Sequence, residues 1–433
     1  MSTPSRSRIR LAAAAALAII LFVPSPVRAA GFSVYEQGGR AMGFAGAYTA
    51  LSLDPSAIFY NPAGVAFLKQ KQIYFGATLV KPWSDFTGVN PFPGTSVSES
   101  SSVSVIPVPT LYYTQPFSQR VVFGLGLNAP FGLRTQWANP ATYSGRYISE
   151  SADVKTIAIV PTVAFKLADR FSLAASLNVM FSKVQLVRRV PSVNPFTQTV
   201  VDIAQVTLDS NWDVGFGLNL GLLAKPTDNF SVGVAYRSKV RVDYGGSATF
   251  DQISTGNAQL NALVALQLPS GAQPLTTSID FPASVPMGVA YQWENWTLAV
   301  DAVWFQWSTF STIDLTFTSL PSRNETIVED YSNSWQFRVG IERKLNRAWT
   351  VRGGYFYDQS PAPAASVSPI LPDADRNGVA AGATWKSGRL WIDMGTWYLF
   401  FKTRSTEGVN RDNYNGNYSS SALMFAVSFG YSF

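Results

Sequence analysis

The chain has 433 residues, of which 33 are Lys or Arg and 27 are Asp or Glu, and its formal net charge is +6. Four arginines precede residue 30, which leaves 29 basic against 27 acidic side chains and gives nucleic-acid binding no support. The absence of histidine and cysteine excludes disulfides, Ser-His-Asp triads, Cys-His pairs and the usual zinc ligand sets. We therefore expect neither an enzyme nor a cofactor.

Hydropathy narrows the class of protein further. Charged residues make up 14% of the chain, against about 25% in ordinary soluble domains, while aromatic residues also reach 14%. Beyond the N-terminal leader no stretch approaches ~18 consecutive apolar residues, so a helical membrane protein is excluded. Low charge with many aromatic residues favours a membrane β-barrel, whose outer face carries an apolar band and aromatic girdles.

The first 29 residues are typical of a secretory signal peptide, with a basic start, an apolar run over residues 11–23 and small residues after it. The run is too short for the ~20 residues of a membrane-spanning helix, so a retained anchor is the weaker alternative. We predict cleavage after Ala29, because a cut after Ala30 would put Arg28 where a small residue is preferred.

Residues 30–68 lack strand alternation, are rich in Gly and Ala, and contain the turn sequence Asn61-Pro62-Ala63-Gly64. They are too apolar for a solvated tail and precede the first predicted strand. We therefore predict a hatch that plugs the lumen of the barrel, with a periplasmic extension as the alternative.

Residues 69–433 are predicted to form an all-β, 14-stranded antiparallel transmembrane β-barrel. Residues 212–222 alternate between large apolar and small or polar side chains, and the last strand does the same and ends at Phe433, which resembles the signal read by the barrel assembly machinery. Tight turns are predicted near residues 116–119, 168–170, 226–229, 294–295, 346–347 and 387–388. Long connections are predicted near residues 82–101, 129–152, 189–210, 251–275, 318–332, 359–375 and 403–418. Short periplasmic turns and long external loops are typical of bacterial barrels.

Several segments resemble the outer-membrane long-chain fatty acid transporter (FadL) family, which includes relatives that import toluene and xylene. They are, in chain order, Ala30-Gly31-Phe32, Asn61-Pro62-Ala63-Gly64, Tyr236-Arg237-Ser238-Lys239-Val240, Ser360-Pro361 and Leu371-Pro372-Asp373-Ala374-Asp375-Arg376. The resemblance covers nearly the whole mature chain. It implies a 14-stranded barrel plugged by a hatch, in which ligand is captured outside and released through the wall.

Alternation also predicts which side chains point into the lumen. If Val232, Val234 and Tyr236 face lipid, the opposite phase turns neighbouring cations inward. Inward tryptophans on a late strand suit a hydrophobic tunnel better than a water-filled pore. The candidate ligand-binding residues of the lumen are Arg237, Lys239, Arg338, Arg352, Trp391 and Trp397. The alternative for the cations, pairing with lumen acids such as Glu342 or Asp243, stays open.

Two long loops are predicted to capture ligand, because exposed apolar side chains in outer loops are typical of a binding surface. The candidates are Phe131, Leu133, Trp137, Val200 and Ile203. The resemblance likewise implies an external groove built from these loops. Packing of the loops on one another is the alternative.

The predicted exit lies around residues 105–128. Pro107 and Pro109 remove two amide donors from one edge of the second strand, which should weaken the wall. Gly124 and Gly126 on the next strand would permit a kink, and the resemblance implies a lateral opening there. The hatch turn Asn61-Pro62-Ala63 is expected nearby.

No metal is expected. Asp373-Ala374-Asp375-Arg376-Asn377-Gly378 matches the first half of a calcium loop, but its twelfth position is Thr384 where a bidentate Glu is required. The inward Asp213, Asp301 and Asp393 are interpreted as polar lumen lining.

The sequence therefore predicts a passive importer of hydrophobic small molecules in the bacterial outer membrane, with lipid and lipopolysaccharide around it and no nucleic-acid partner. Long-chain fatty acids are slightly favoured by the inward cations. The alternatives are an aromatic hydrocarbon channel, a general diffusion porin and a structural or adhesive barrel.

Overall fold

Fourteen antiparallel strands form the wall of a closed barrel in the computed structural model, which describes residues 31–433. The predicted signal peptide, residues 1–29, lies outside the described residues. The strands are β1 Gln72–Gly88, β2 Ile106–Pro116, β3 Val121–Asn128, β4 Ser151–Ala168, β5 Phe171–Val193, β6 Asp213–Ala224, β7 Phe230–Arg237, β8 Ser284–Trp293, β9 Trp296–Phe305, β10 Ser334–Lys344, β11 Trp349–Asp358, β12 Arg376–Ser387, β13 Leu390–Phe401 and β14 Gly416–Ser432. The predicted 14-stranded antiparallel barrel is confirmed.

Closure comes from the pairing of the last strand with the first. β14 pairs with β1 along their whole length, from Gln72 opposite Ser432 to Gly88 opposite Gly416. A closed ladder gives backbone groups partners without water, which is the condition for crossing a bilayer with strands.

The large apolar side chains of the strands lie on the outer face of the barrel, whereas in a soluble protein they lie inside. On β6, the exposed fraction is 63% for Phe216 and 57% for Leu218, whereas Gly215 and Gly217 between them are buried. Large apolar side chains therefore cover the outer face, as contact with lipid requires.

The connections at the two ends differ in length, as predicted. Six turns of two to five residues lie at one end, and seven loops of 14 to 46 residues lie at the other. The outer loops contain the strands Ser98–Ser100, Gly132–Gln136, Val200–Ser210, Val240–Gln252, Gln273–Phe281, Thr312–Phe317, Glu325–Val328 and Arg404–Ser405. They also contain a helix, Ala258–Gln267, and short 3-10 turns at Trp307–Thr309, Pro321–Arg323 and Ala364–Ser366.

Two predicted loops are too short. The connection between β9 and β10 spans residues 306–333 and not 318–332. The connection between β7 and β8 spans residues 238–283 and not 251–275, because the chain leaves the wall after Arg237. Val240–Gln252 then pairs with Gln273–Phe281 on one side and Val200–Ser210 on the other, so the three segments form a sheet above the barrel.

Residues 31–68, called the N-terminal segment below, lie inside the barrel. The segment contains two short helices, α1 Gly39–Gly43 and α2 Ala57–Tyr60, followed by a 3-10 helix, Pro62–Phe67. The amides of Tyr48 and Thr49 each donate to the Asp301 carboxylate of β9 at 2.8 Å. The Gly39 amide donates to Ser428 of β14 at 3.0 Å.

Glycine is required at one of these contacts. A Cβ on Gly39 would lie 2.6 Å from the Asp393 carbonyl oxygen of β13, so only glycine permits this close approach to the wall. Among residues 31–433, none of the helices is both long and apolar enough to span a membrane.

Candidate functional site

A narrow apolar cavity of about 110 Å³, called the outer cavity, lies among the external loops. The upper ends of β4 and β5 form one side of it, and loop strands form the other. Most of its lining consists of aliphatic and aromatic side chains, among them Phe32, Leu133, Leu186, Leu208, Leu275, Ile313 and Leu315. Such a lining offers a ligand burial of apolar surface and few hydrogen bonds.

A second cavity of about 530 Å³, called the wall cavity, lies beside it. It is lined by the start of the N-terminal segment, by β1, β2 and β4, and by the loop after β3. Five residues line both cavities, so a layer one side chain thick separates them: Phe32, Leu133, Asp153, Val154 and Leu371. A ligand in the outer cavity therefore lies next to the wall cavity.

The wall cavity adjoins an unpaired edge in the barrel. The ladder between β2 and β3 ends at Leu111 opposite Leu127, whereas the ladder between β1 and β2 continues to Val80 opposite Ile106. Residues 106–110 thus have a partner strand on one edge only. The hydrogen-bonded wall therefore has a gap beside residues 106–110.

Pro107 and Pro109 fit this gap. The ladder with β1 runs unbroken through both residues, so their missing amide donors fall on the edge that faces β3. Their rings point outward and line the wall cavity together with the outward Ile157 of β4. The cavity therefore reaches the outer face of the barrel between β2 and β4.

Gly124 and Gly126 lie lower in the wall, where both neighbouring ladders are complete. The wall is closed at these two glycines, contrary to the expected weak point. They instead make room for Ile58 of α2, because Cβ atoms added to them would lie 2.8 and 3.0 Å from its side chain.

The turn Asn61-Pro62-Ala63 is likewise not beside the gap. Asn61 donates from its amide nitrogen to the carbonyls of Thr49 and Leu222, both at 2.9 Å, and accepts from the Ala63 amide. Ala63 accepts from Ser172 of β5 at 2.8 Å. These bonds fix the turn to β5 and β6, and the expectation that it lies near the exit stays a prediction.

Arg338 and Arg352 point into the lumen as predicted, but each is bound by acids. Arg352 binds Glu342 at 2.7 Å and lies 3.7 Å from Asp393, while Arg338 lies 3.4 Å from Asp358 and donates to the Ala45 carbonyl. The alternative of pairing with lumen acids therefore holds for both.

Arg237 and Lys239 differ from each other. Arg237 is inside, donates to the Phe59 carbonyl and lies over the Phe59 ring, with no carboxylate within 4.0 Å among the described residues. Lys239 is not in the lumen, because the chain has already left the wall, and its half-exposed ammonium pairs with Asp280 at 3.2 Å. None of the four predicted cations lines either cavity.

Trp391 and Trp397 point inward but line neither cavity. Trp397 donates from its indole nitrogen to the Met42 carbonyl at 2.6 Å, and Trp391 stacks on Tyr74. Their role in the structure is packing against the N-terminal segment and its surroundings. The part of β13 that lines the wall cavity is Leu399 and Phe401.

The five predicted loop residues separate into three groups. Leu133 lines both cavities, and Phe131 lines the wall cavity. Trp137 is fully buried, stacks on Tyr143 and donates to the Pro369 carbonyl, as loop packing predicts. Val200 is 59% exposed, and neither it nor Ile203 lines a cavity.

The wall cavity is lined by both cations and acids, whereas the charged residues that line the outer cavity are all acids. In the wall cavity, Lys155 pairs with Asp153 at 3.1 Å and Arg376 with Asp358 at 3.2 Å. The outer cavity has no Lys or Arg among its described lining residues, but it has the buried Glu329. Burial, helped by Asp412 and opposed by Arg411, raises the pKa of Glu329 to about 8.

The two acidic side chains of the calcium-like segment, residues 373–378, accept hydrogen bonds from other parts of the protein. Asp373 accepts from Ser360 and from the Gly31 amide, and Asp375 accepts from the Ser360 amide. Within residues 31–433 no group of three acidic side chains is arranged to hold a metal ion.

Comparison with known proteins assigns the chain to a family. A family model described as "Outer membrane protein transport protein (OMPP1/FadL/TodX)" matches residues 20–433. The chain belongs to this family. It is an outer-membrane β-barrel related to transport proteins.

Individual FadL-family relatives cover almost the whole chain. The "Long-chain fatty acid transport protein" of Escherichia coli O6:H1 is 24% identical over 96% of this chain and 98% of its own. "Outer membrane protein P1" of Haemophilus influenzae is 25% identical over 96% of this chain and 97% of its own. A Pseudomonas aeruginosa FadL homologue matches the fold with a TM-score of 0.80, 23% identity and coverage of 93% and 100%. The Pseudomonas putida toluene transporter TodX matches the fold with a TM-score of 0.70 and 20% identity, and the match covers 94% of this chain and 100% of TodX.

Sequence reasoning missed most of the outer cavity of this FadL-family barrel. Leu275 and Ile279 belong to the loop between β7 and β8, and Ile313 and Leu315 to the loop between β9 and β10. Of these four residues only Leu275 fell within a predicted connection, residues 251–275, and the other three fell where wall strands were expected. Alternation marks both segments as strands but does not show that they lie in loops above the barrel.

Proposed function

We propose that this FadL-family protein is a passive importer of hydrophobic small molecules across the outer membrane. The observation that carries the proposal is an apolar outer cavity that adjoins a wall cavity, which in turn reaches the unpaired edge of β2. The names of its relatives, a long-chain fatty acid transport protein and a toluene transporter, support the same class of cargo.

The route has three steps. Ligand leaves water for the apolar outer cavity, passes the thin layer that contains Phe32 and Leu133, and enters the wall cavity. It then leaves sideways between β2 and β4, past Pro107 and Pro109, into the apolar part of the bilayer. Burial of apolar surface favours both ends of this route, so a concentration gradient suffices as the driving force.

The N-terminal segment acts as a hatch in this proposal. It is bonded to β9 through Asp301 and to β14 through Ser428, and its side chains are almost all buried. A general diffusion porin would need an open axial path, which the segment occupies. Exit through the wall avoids the need to remove it.

The division of the chain follows from this account. Residues 1–29 would be removed as a signal peptide, residues 30–68 would form the hatch, and residues 69–433 would form the barrel. The barrel would contact outer-membrane lipid and lipopolysaccharide, and its last strand, ending at Phe433, would be recognised by the assembly machinery. No catalytic step is part of the proposed function.

Uptake by cells that lack their own transporter of this kind tests the route. A Pro107→Trp, Pro109→Trp double variant fills the outward mouth of the wall cavity, and we expect initial uptake of radiolabelled hexadecane to fall to the level of cells without the protein. Leu218→Trp, at a position on β6 that is also exposed and points outward, is the matched control and should keep wild-type uptake. Heat-modifiable mobility on gels verifies folding of each barrel. Wild-type uptake by a folded double variant would refute the lateral exit.

A further inference from the structure

We propose that the outer cavity accepts uncharged hydrophobic molecules and rejects carboxylates, because its charged lining groups are all acids and, among the described residues, the buried carboxyl of Glu329 has no cation within 4.0 Å. The inference rests on the proposed function, since it concerns the ligand of the same capture site. It names a substrate class, neutral hydrocarbons and alcohols, and excludes fatty acid anions from this cavity.

Glu329 is held in place by its backbone. Its amide donates to the Ser311 carbonyl at 2.7 Å, and its own carbonyl accepts from the Ser366 hydroxyl. The residue is 7% exposed and lines the outer cavity near Ile313 and Ile327. Among the described residues, its carboxyl group has no hydrogen-bond partner and no cation within 4.0 Å. The unpartnered carboxyl therefore belongs to the binding surface.

The surroundings of Glu329 do not supply a free positive charge. Arg411, on the loop after β13, is bound to Asp330 and to the Val328 carbonyl. Its neighbour Asp412 adds negative charge, and Tyr331 on the same loop as Glu329 is uncharged at neutral pH. The charged neighbours of Glu329 are therefore Arg411, which already binds Asp330, and the further acid Asp412.

The remaining charges of the cavity are also acidic. Asp153 and Asp209 contribute to its lining, and each already binds a lysine that is not part of the lining: Lys155 at 3.1 Å and Lys183 at 2.9 Å. A ligand carboxylate would have to give up water here without gaining a cation. Burial of an unpaired charge is strongly unfavourable, whereas a hydrocarbon chain or a hydroxyl group carries no such cost.

The protonation state of Glu329 also favours neutral ligands. Because burial and Asp412 raise the pKa of Glu329 to about 8, the group is mostly neutral at pH 7 and can donate a hydrogen bond to a ligand oxygen. Above this pH the cavity gains a negative charge. Binding of a neutral ligand should then weaken, since the ionised carboxylate must keep water that the ligand would displace.

A competition experiment on the full chain in lipid nanodiscs tests the proposal. N-phenyl-1-naphthylamine serves as the neutral fluorescent probe, and dodecan-1-ol and dodecanoate compete for it at about pH 7, with free concentrations corrected by empty nanodiscs. We expect dodecan-1-ol to displace the probe at a concentration at least about tenfold lower than dodecanoate. Equal displacement by the two compounds would overturn the proposal while leaving capture of hydrophobic molecules intact.

Glu329→Gln supplies the matched variant. Wild-type affinity for the probe should fall as the pH rises through about 8, whereas the affinity of the folded Gln variant should not change with pH over this range. The same fall in the variant would show that another group is responsible and would overturn the assignment to Glu329. If the probe did not bind the wild-type protein at any pH, the proposed capture function itself would fail.

Discussion

Removal of the Asp301 carboxylate should release the N-terminal segment from the barrel wall. Asp301 is 2% exposed and accepts hydrogen bonds from the amides of Tyr48 and Thr49, at 2.8 Å each. In Asp301→Ala both buried donors lose their acceptor, at a cost of about 1–3 kcal/mol for each. Relief from burying the carboxylate offsets part of this cost, so we expect the segment to be loosened by at least about 2 kcal/mol.

Conductance of single proteins in a planar bilayer measures the effect. A change of about 2 kcal/mol raises the population of a displaced segment by a factor of about 30. The wild type should conduct almost no ions, and Asp301→Ala should show frequent openings. Glu342→Gln is the matched control, because the Glu342 carboxylate binds Arg352 of the neighbouring strand and not the N-terminal segment. Equal conductance of wild type and Asp301→Ala would refute the reasoning.

Three further predictions concern the cavities and the segment. Leu133 lines both cavities, so Leu133→Asp should reduce hexadecane uptake at least about tenfold by placing a charge in the route, while Leu345→Asp at an exposed turn should not; equal uptake by both would contradict the route. Gly124→Val should clash with the Ile58 side chain and lower the thermal midpoint, and Ile58→Ala should restore part of the loss; additive effects would show that the two do not meet. Because the pKa of Glu329 in the folded protein, about 8, exceeds the ordinary value of 4.5, the free energy of unfolding should fall by up to about 1.4 kcal/mol per pH unit between these two values. Glu329→Gln should remove this slope, and an unchanged slope in the variant would exclude Glu329 as its source.

The wall of the barrel could be predicted from the sequence because each strand shows its own alternation. Residues 212–222 contain both the outward Phe216 and the inward glycines, and no distant partner is needed to recognise them. The limits of this signal appear at Lys239. Alternation continues from β7 into the loop strand Val240–Gln252, so the pattern does not reveal where the chain leaves the membrane.

Side-chain direction could be predicted, but partners only in part: Glu342 was named as a possible partner of the inward cations, whereas Asp358 was not. Arg338 and Arg352 do point inward, as the phase of their strands requires. Their acids, Asp358 and Glu342, lie on adjacent strands in a register that the sequence does not specify. The slight preference for fatty acids rested on free cations in the lumen, and this support is lost because none of those arginines lines a cavity.

The cavities are the least predictable part, since they form where several loops meet. Leu133, Leu208, Leu275 and Leu315 come from four different loops and approach one another only in the folded barrel. For Trp397, the direction of the side chain could be predicted but its contact could not. It points inward as predicted, but the Met42 carbonyl of the N-terminal segment occupies its indole nitrogen.

Diffraction at the bromine absorption edge from crystals soaked with 1-bromododecane tests the central claim most directly. We expect anomalous peaks in the outer cavity and in the wall cavity, on the two sides of Leu133, and a weaker peak at the edge of β2 near Pro107. Peaks confined to the lipid-facing surface, or along the axis between the N-terminal segment and the wall, would contradict the central claim.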